Sequence, residues 1–223
     1  MDQGALATGN MKFEVSHRTT YSYRSPVAQS YHLVHLKPRQ LPGQAVLNHS
    51  LLIDPAPVSS TEIIDYFGNA ALLLRIEDEH AEFVVHARST LEVPPPSQPD
   101  LVRGTPWEEV TRLARDPGGL LEISILQFTS RSRHTPASRD ILGFAQVSFP
   151  PRRPILEGAM DLTRRIFKEF AFDPRATDVS TPISRVLDMK RGVCQDFAHL
   201  AIASLRSIGL PARYVSGYLM TRP

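Results

Sequence analysis

The periodicity of the chain changes once, and that change restricts the folds open to it more than any other feature. From residue 12 to residue 93 apolar and β-forming residues alternate with polar ones, whereas beyond Val93-Pro94-Pro95-Pro96-Ser97-Gln98-Pro99 they recur at spacings of three and four. Consecutive prolines fix φ and remove ladder donors, so neither a strand nor a helix continues through that run. The chain therefore reads as four parts: a disordered N-terminal extension at 1–11, a β-sandwich domain at 12–93, a Pro-rich linker at 94–100 and a second domain at 101–223.

Within the first domain, Phe13, Val15, His17, Thr19, Tyr21 and Tyr23 fall on one face of a strand that stops at Ser25-Pro26. Further strands are expected at 31–36, 46–53, 61–66, 71–76 and 82–93, with a turn at Phe67-Gly68-Asn69 where glycine supplies positive φ. Five or six antiparallel strands at regular spacing argue for a sandwich. His32 and His35 do not suggest a metal site, because neighbouring positions of a strand alternate between faces and no second pair of ligands has a recognisable spacing.

The second domain reads as helical. Trp107 opens a helix after Thr105-Pro106, with Glu108 and Glu109 at its positive end. A longer helix follows Pro154, with Ile155, Ala159, Leu162, Ile166 and Phe170 on one face, and a short one follows Thr181-Pro182 and runs to Arg191. Between them, 116–150 carries no decisive pattern: a turn at 116–119, strand or helix at 120–128, a polar loop at 129–139. The last helix has apolar residues at 197, 200, 201, 204, 205 and 208, is released by Gly192 and is stopped by Gly209 and Pro211; a strand is expected at 213–218.

Cys194, the only cysteine, falls at the start of that last helix. A lone cysteine commonly packs as a small buried hydrophobe. A thiol at a helix N-terminus, however, faces unpaired N–H groups that favour the nucleophilic thiolate, and Gly192, Gln195 and Asp196 suit a cleft better than a core. His199 is not expected to serve as its base: five residues along a helix is a rise of about 7.5 Å and a rotation of about 140°, which points it away as a helix-surface residue. His134 lies in the polar loop. Asp196 serves the first turn through the dipole, pairs with an arginine, or holds the loop before Cys194.

Composition excludes several classes. The formal charge is +2, with arginines interleaved among acids, so no nucleic-acid or membrane patch is implied. One cysteine cannot form an internal disulfide, the N-terminus lacks a signal pattern, and no run approaches the ~18 apolar residues of a membrane span, which makes the cytoplasm the default. No cofactor is expected.

Gly192-Val193-Cys194-Gln195-Asp196-Phe197-Ala198-His199-Leu200, followed by Ser204 through Tyr218, resembles the nucleophile helix and next strand of bacterial transglutaminase-like proteins, which are often described as candidate cysteine proteases. His17-Arg18-Thr19-Thr20-Tyr21-Ser22-Tyr23, Leu36-Lys37-Pro38-Arg39 and Asp65-Tyr66-Phe67-Gly68-Asn69 resemble phrases of that family's N-terminal β domain. The resemblance implies an α+β fold, an antiparallel β-sandwich followed by a truncated papain-like core, with Cys194 as nucleophile toward peptide or protein amides. Its His and Asp come after the strand matching 213–218, beyond Pro223, so the chain alone is expected to be inactive and to present an edge open to homodimerisation. The alternative is a non-catalytic binding or structural module on the same fold.

Overall fold

A computed structural model describes residues 9–95, 99–115 and 125–220. The chain divides into two compact units, Met1–Ser97 and Gln98–Pro223. No helix among the described residues is long and apolar enough to cross a membrane.

The first unit holds six strands, β1 (Met11–Val27), β2 (Ser30–Val34), β3 (Ala45–Asp54), β4 (Ser59–Ile64), β5 (Ala70–Ile76) and β6 (His80–Val93). They form two antiparallel sheets, ordered β1-β6-β3 and β2-β5-β4. Alternation sets which residues meet: Leu74 and Ile76 of β5 and Phe83 and Val85 of β6 form one buried cluster, with Val34, Leu51 and Ile53 packed against it. Complete burial of each such side chain contributes about 1.5–3 kcal/mol, which is why the two sheets share a core. Gly68 turns β4 into β5 at φ 78°. Asp65 pins the same turn, its Oδ1 accepting the N–H groups of Phe67 and Asn69 at 2.9 and 2.8 Å.

β1 begins at Met11, inside the segment expected to be disordered, because Met11 pairs with Val93 at the end of β6 and Asn10 donates to Glu92. Residues 1–8 and 96–98 lie outside the described residues. His32 stacks on Phe83 with ring centroids 3.7 Å apart, and His35 lies 3.6 Å from Asp65.

The second unit contains α1 (Trp107–Arg115), α2 (Arg139–Ser148), α3 (Ile155–Glu169), α4 (Ile183–Met189) and α5 (Cys194–Ser207). Its core draws on Ile141, Phe144 and Ala145 of α2, Leu162 and Ile166 of α3, Val186 and Leu187 of α4, and Leu200 and Ala203 of α5. α5 packs on the other three. The helix α2 occupies part of the stretch left open by the sequence; Ser138 caps it, its Oγ accepting the N–H of Ile141 at 3.1 Å. Residues 116–124, which carry the turn expected at 116–119, are outside the described residues.

Three expectations are corrected. β1 runs through Ser25-Pro26 to Val27, its register against β6 shifting between Ser22 and Val27. The helix α4 stops at Met189 rather than Arg191, because Lys190 takes the left-handed conformation (φ 54°) and sets its ammonium over the rings of Phe144 and Phe170. Arg191–Gly192 then forms β8, parallel to β7 (Ala171–Phe172). Residues 213–218 form no strand among the described residues, since none of the described strands lies alongside to pair with their N–H and C=O groups.

Candidate functional site

The start of α5 is set by a small polar network. Val193 is the N-cap residue and, lacking a side-chain acceptor, cannot cap the helix. Asp196, three positions on, supplies the other half of a capping box: its Oδ2 accepts the N–H of Val193 at 2.8 Å. The same oxygen accepts the hydroxyl of Thr177 at 2.6 Å, and Asp196 is only 4% exposed. Asp196 holds the loop before Cys194 from the first turn of the helix, and among the described residues it forms no ion pair with an arginine.

Gly192 is required by this closeness. A Cβ there would stand 2.7 Å from Asp196 Oδ2. The Gly192 carbonyl also accepts the N–H of Asp173 at 2.9 Å, so the β7–β8 pair fixes the chain as it enters the helix. These contacts put Cys194 on the first residue of α5, exposed and outside the core. By helix geometry its backbone N–H is one of the four that find no partner within the helix. Its thiol makes no hydrogen bond among the described residues.

The far end of α5 is equally determined. Gly209 (φ 87°) donates to Arg206 O and Leu210 to Leu205 O, both at 3.0 Å, closing the helix with the paired bonds of a Schellman motif. Arg206 then gathers two distant segments onto the helix. Its guanidinium donates to Ala212 O from Nε (3.0 Å) and Nη2 (2.6 Å), and from Nη1 to Ser130 O (2.7 Å) and Thr135 Oγ1 (3.1 Å).

Those contacts bring a second group of residues to α5. His199 is half-buried rather than a plain surface residue: its ring stacks on His134 (centroids 5.2 Å apart, planes 21° apart) and lies tilted against Tyr214 at 5.6 Å. Burial first, and then the neighbouring His134, hold the His199 imidazole below the ordinary histidine range, while the Asp196 carboxylate opposes the shift. A cavity of about 180 Å³ opens beside this pair, lined among others by Arg133, His134, Thr181, Gln195, Asp196 and His199. Cys194 is not on that lining, and no histidine hydrogen-bonds to it. A larger cavity, about 430 Å³, lies between α1 and Ile208 and holds neither thiol nor imidazole.

The arrangement offers an exposed thiol at a helix start, N–H groups free to meet a developing oxyanion, and imidazoles on another face of the same helix. Among the described residues no group of three or more His, Cys, Asp or Glu is placed to hold a metal.

Comparison with known proteins agrees with both units. Residues 13–92 match the bacterial transglutaminase-like N-terminal region, and residues 146–223 match the transglutaminase-like superfamily. An uncharacterised protein of Mycobacterium tuberculosis (strain H37Rv) is 36% identical over 219 residues, which covers 97% of this chain and 68% of that protein. One from Mycobacterium leprae is 31% identical over 213 residues, covering 93% and 71%. The crystal structure of a candidate cysteine protease from Cytophaga hutchinsonii superposes with a TM-score of 0.69 at 21% identity; the match takes in 91% of this chain but 65% of the crystallised one. The fold is thus α+β, antiparallel sheets followed by a transglutaminase-like core.

Proposed function

Because the chain belongs to the bacterial transglutaminase-like family, we propose that it is the nucleophile-bearing part of a Cys-dependent enzyme that attacks amide bonds of peptides or proteins. The observation that carries this reading is Cys194 itself, exposed on the first residue of α5. There the helix N-terminus favours the thiolate. The thiolate sulfur adds to the amide carbonyl, and the negative charge that develops on oxygen meets the Cys194 N–H. The C–N bond then breaks, the amine leaves with a proton, and a thioester remains on Cys194. Water converts the thioester to a carboxylic acid; an amine converts it to a new amide.

Proton delivery to the leaving amine needs an imidazolium, oriented by a third group. His199 and His134 face a cavity that Cys194 does not line, and the family resemblance implies a His and an Asp after the segment matching 213–218, so this reading gives both roles to those residues. The chain of 223 residues alone is then inert or nearly so. The test compares this chain with one extended through the following strands, on a peptide amide and in an amine-incorporation assay. Activity in the extended chain alone, abolished by Cys194→Ala, is expected. Equal turnover by both chains, or turnover that survives Cys194→Ala, refutes the reading.

A further inference from the structure

The cavity beside the first turn of α5 has a chemistry of its own. The side chains of Arg133, His134, Gln195 and His199 all line it, and none makes a hydrogen bond or ion pair among the described residues. Arg133 and His134 are exposed at its rim, and Gln195 and His199 are half-buried beneath them, so four polar side chains converge on one pocket, the ordinary make-up of a small-ligand site. Resting on the reading of Cys194 as nucleophile, we propose that this cavity receives a carboxylate carried by the substrate close to its scissile amide, with Arg133 as the counter-charge and His134, Gln195 and His199 as donors.

The donor groups on the lining suit the oxygens of a carboxylate, while Arg133 and Asp196 bring one charge of each sign. Arg133 is the one permanent cation there, and both imidazoles can donate a ring N–H. Asp196 is the one carboxylate; it is 4% exposed, and its Oδ2 is turned to Val193 N–H and the Thr177 hydroxyl at the start of α5. Thr181 is committed to Asp178. A metal ion does not suit the pair of imidazoles, because rings stacked with planes 21° apart aim their in-plane lone pairs along parallel directions rather than at one point. At about 180 Å³ the space equals about six waters at ~30 Å³ each, enough for a short carboxylate side chain or a peptide C-terminus. Gln195 ties the cavity to the chemistry, since it lines the cavity and directly follows Cys194.

Three small probes separate the alternatives: N-acetylglutamate α-amide, with a side-chain carboxylate only; N-acetylglutamine, with an α-carboxylate only; and the neutral N-acetylglutamine amide. Binding is read from the imidazole NMR signals of His134 and His199, assigned with His134→Gln and His199→Gln. At least one acid is expected to give saturable shifts at tenfold lower concentration than the neutral amide, and which acid does so identifies the source of the carboxylate. Arg133→Gln is expected to weaken that acid at least tenfold. Equal response to acid and amide, no saturable response, or no effect of Arg133→Gln overturns the proposal. A second arm follows Cys194 alkylation by iodoacetamide. Slowing of alkylation by the binding acid is expected, and an acid that binds without slowing it overturns the link to the substrate. A thiol in folded protein that alkylates no faster than in unfolded protein counts against Cys194 as nucleophile, while the NMR arm still decides the cavity.

Discussion

Replacing Asp196 tests whether the site depends on one buried carboxylate. In Asp196→Ala, Val193 N–H and the Thr177 hydroxyl both lose their acceptor at 2.8 and 2.6 Å. Hydrogen bonds to a charged group contribute about 1.5–3 kcal/mol each. Val193 and Thr177 are half-buried, so water recovers part of each bond and the lower end applies. The sum is a loss of about 3 kcal/mol. Asp196→Asn keeps an acceptor oxygen without the charge and is expected to lose about 1 kcal/mol. Trp107 is the only tryptophan and belongs to the helical unit, so its fluorescence follows that unit through a urea titration. With an m-value of about 2 kcal/mol/M, Asp196→Ala lowers the midpoint by about 1.5 M. The double variant with Thr177→Val should cost about 1 kcal/mol less than the sum of the singles, because both remove the same bond. A midpoint shift under about 0.5 M for Asp196→Ala, or strict additivity with Thr177→Val, would show that the network does not hold the helix start.

Two further perturbations probe the other end of α5. Arg206→Met strips the donors from Ala212 O, Ser130 O and Thr135 Oγ1, for an expected loss of about 2–4 kcal/mol; limited proteolysis should then cut within 130–135, and resistance equal to wild type there would contradict the clamp. His199 has its folded-state pKa lowered below 6.5 by burial and by His134. The unfolded chain therefore binds the proton more readily, and stability that is fully present above about pH 6.5 is lost as pH falls toward the folded value. The Trp107 transition should weaken between pH 7 and pH 5, and His199→Gln should flatten that slope; the Asp178 carboxyl, held low first by the Ser180 hydroxyl, acts only in the more acidic range of an ordinary carboxylate. An unchanged slope in His199→Gln would remove the imidazole from the account.

What could be read in advance depended on whether the deciding contact was local. The strands other than β4, whose six residues are all exposed, were legible because each turns one face inward, which writes a period of two into Phe13–Tyr23 and its partners. The start of α5 was legible for a similar reason: Gly192, Val193, Cys194 and Asp196 are consecutive or nearly so, and the capping geometry lies within that span. α2 left a weaker trace, since its one start signal is Ser138, set at the end of the polar run 129–139. The β7–β8 pair is two residues long, too short for any period to show. Residues 213–218 have the composition of a strand and form none among the described residues, because β-propensity expresses itself only against a partner.

His199 shows most directly where local reasoning stops. Helix geometry alone separated it from Cys194, and the two do lie on different faces. Its actual neighbours are His134, 65 positions earlier, and Tyr214, brought together with it by an arginine seven positions further along the helix. Nothing in the spacing around Arg206 announces that it will find Ser130, Thr135 and Ala212, because three carbonyl or hydroxyl acceptors carry no sequence signature. A helix therefore declares which of its faces is apolar, and that its cysteine stands at its start, well before it declares what its polar face will meet. That polar face is where the cavity lined by Arg133, His134, Gln195 and His199 forms, in contacts that periodicity cannot encode.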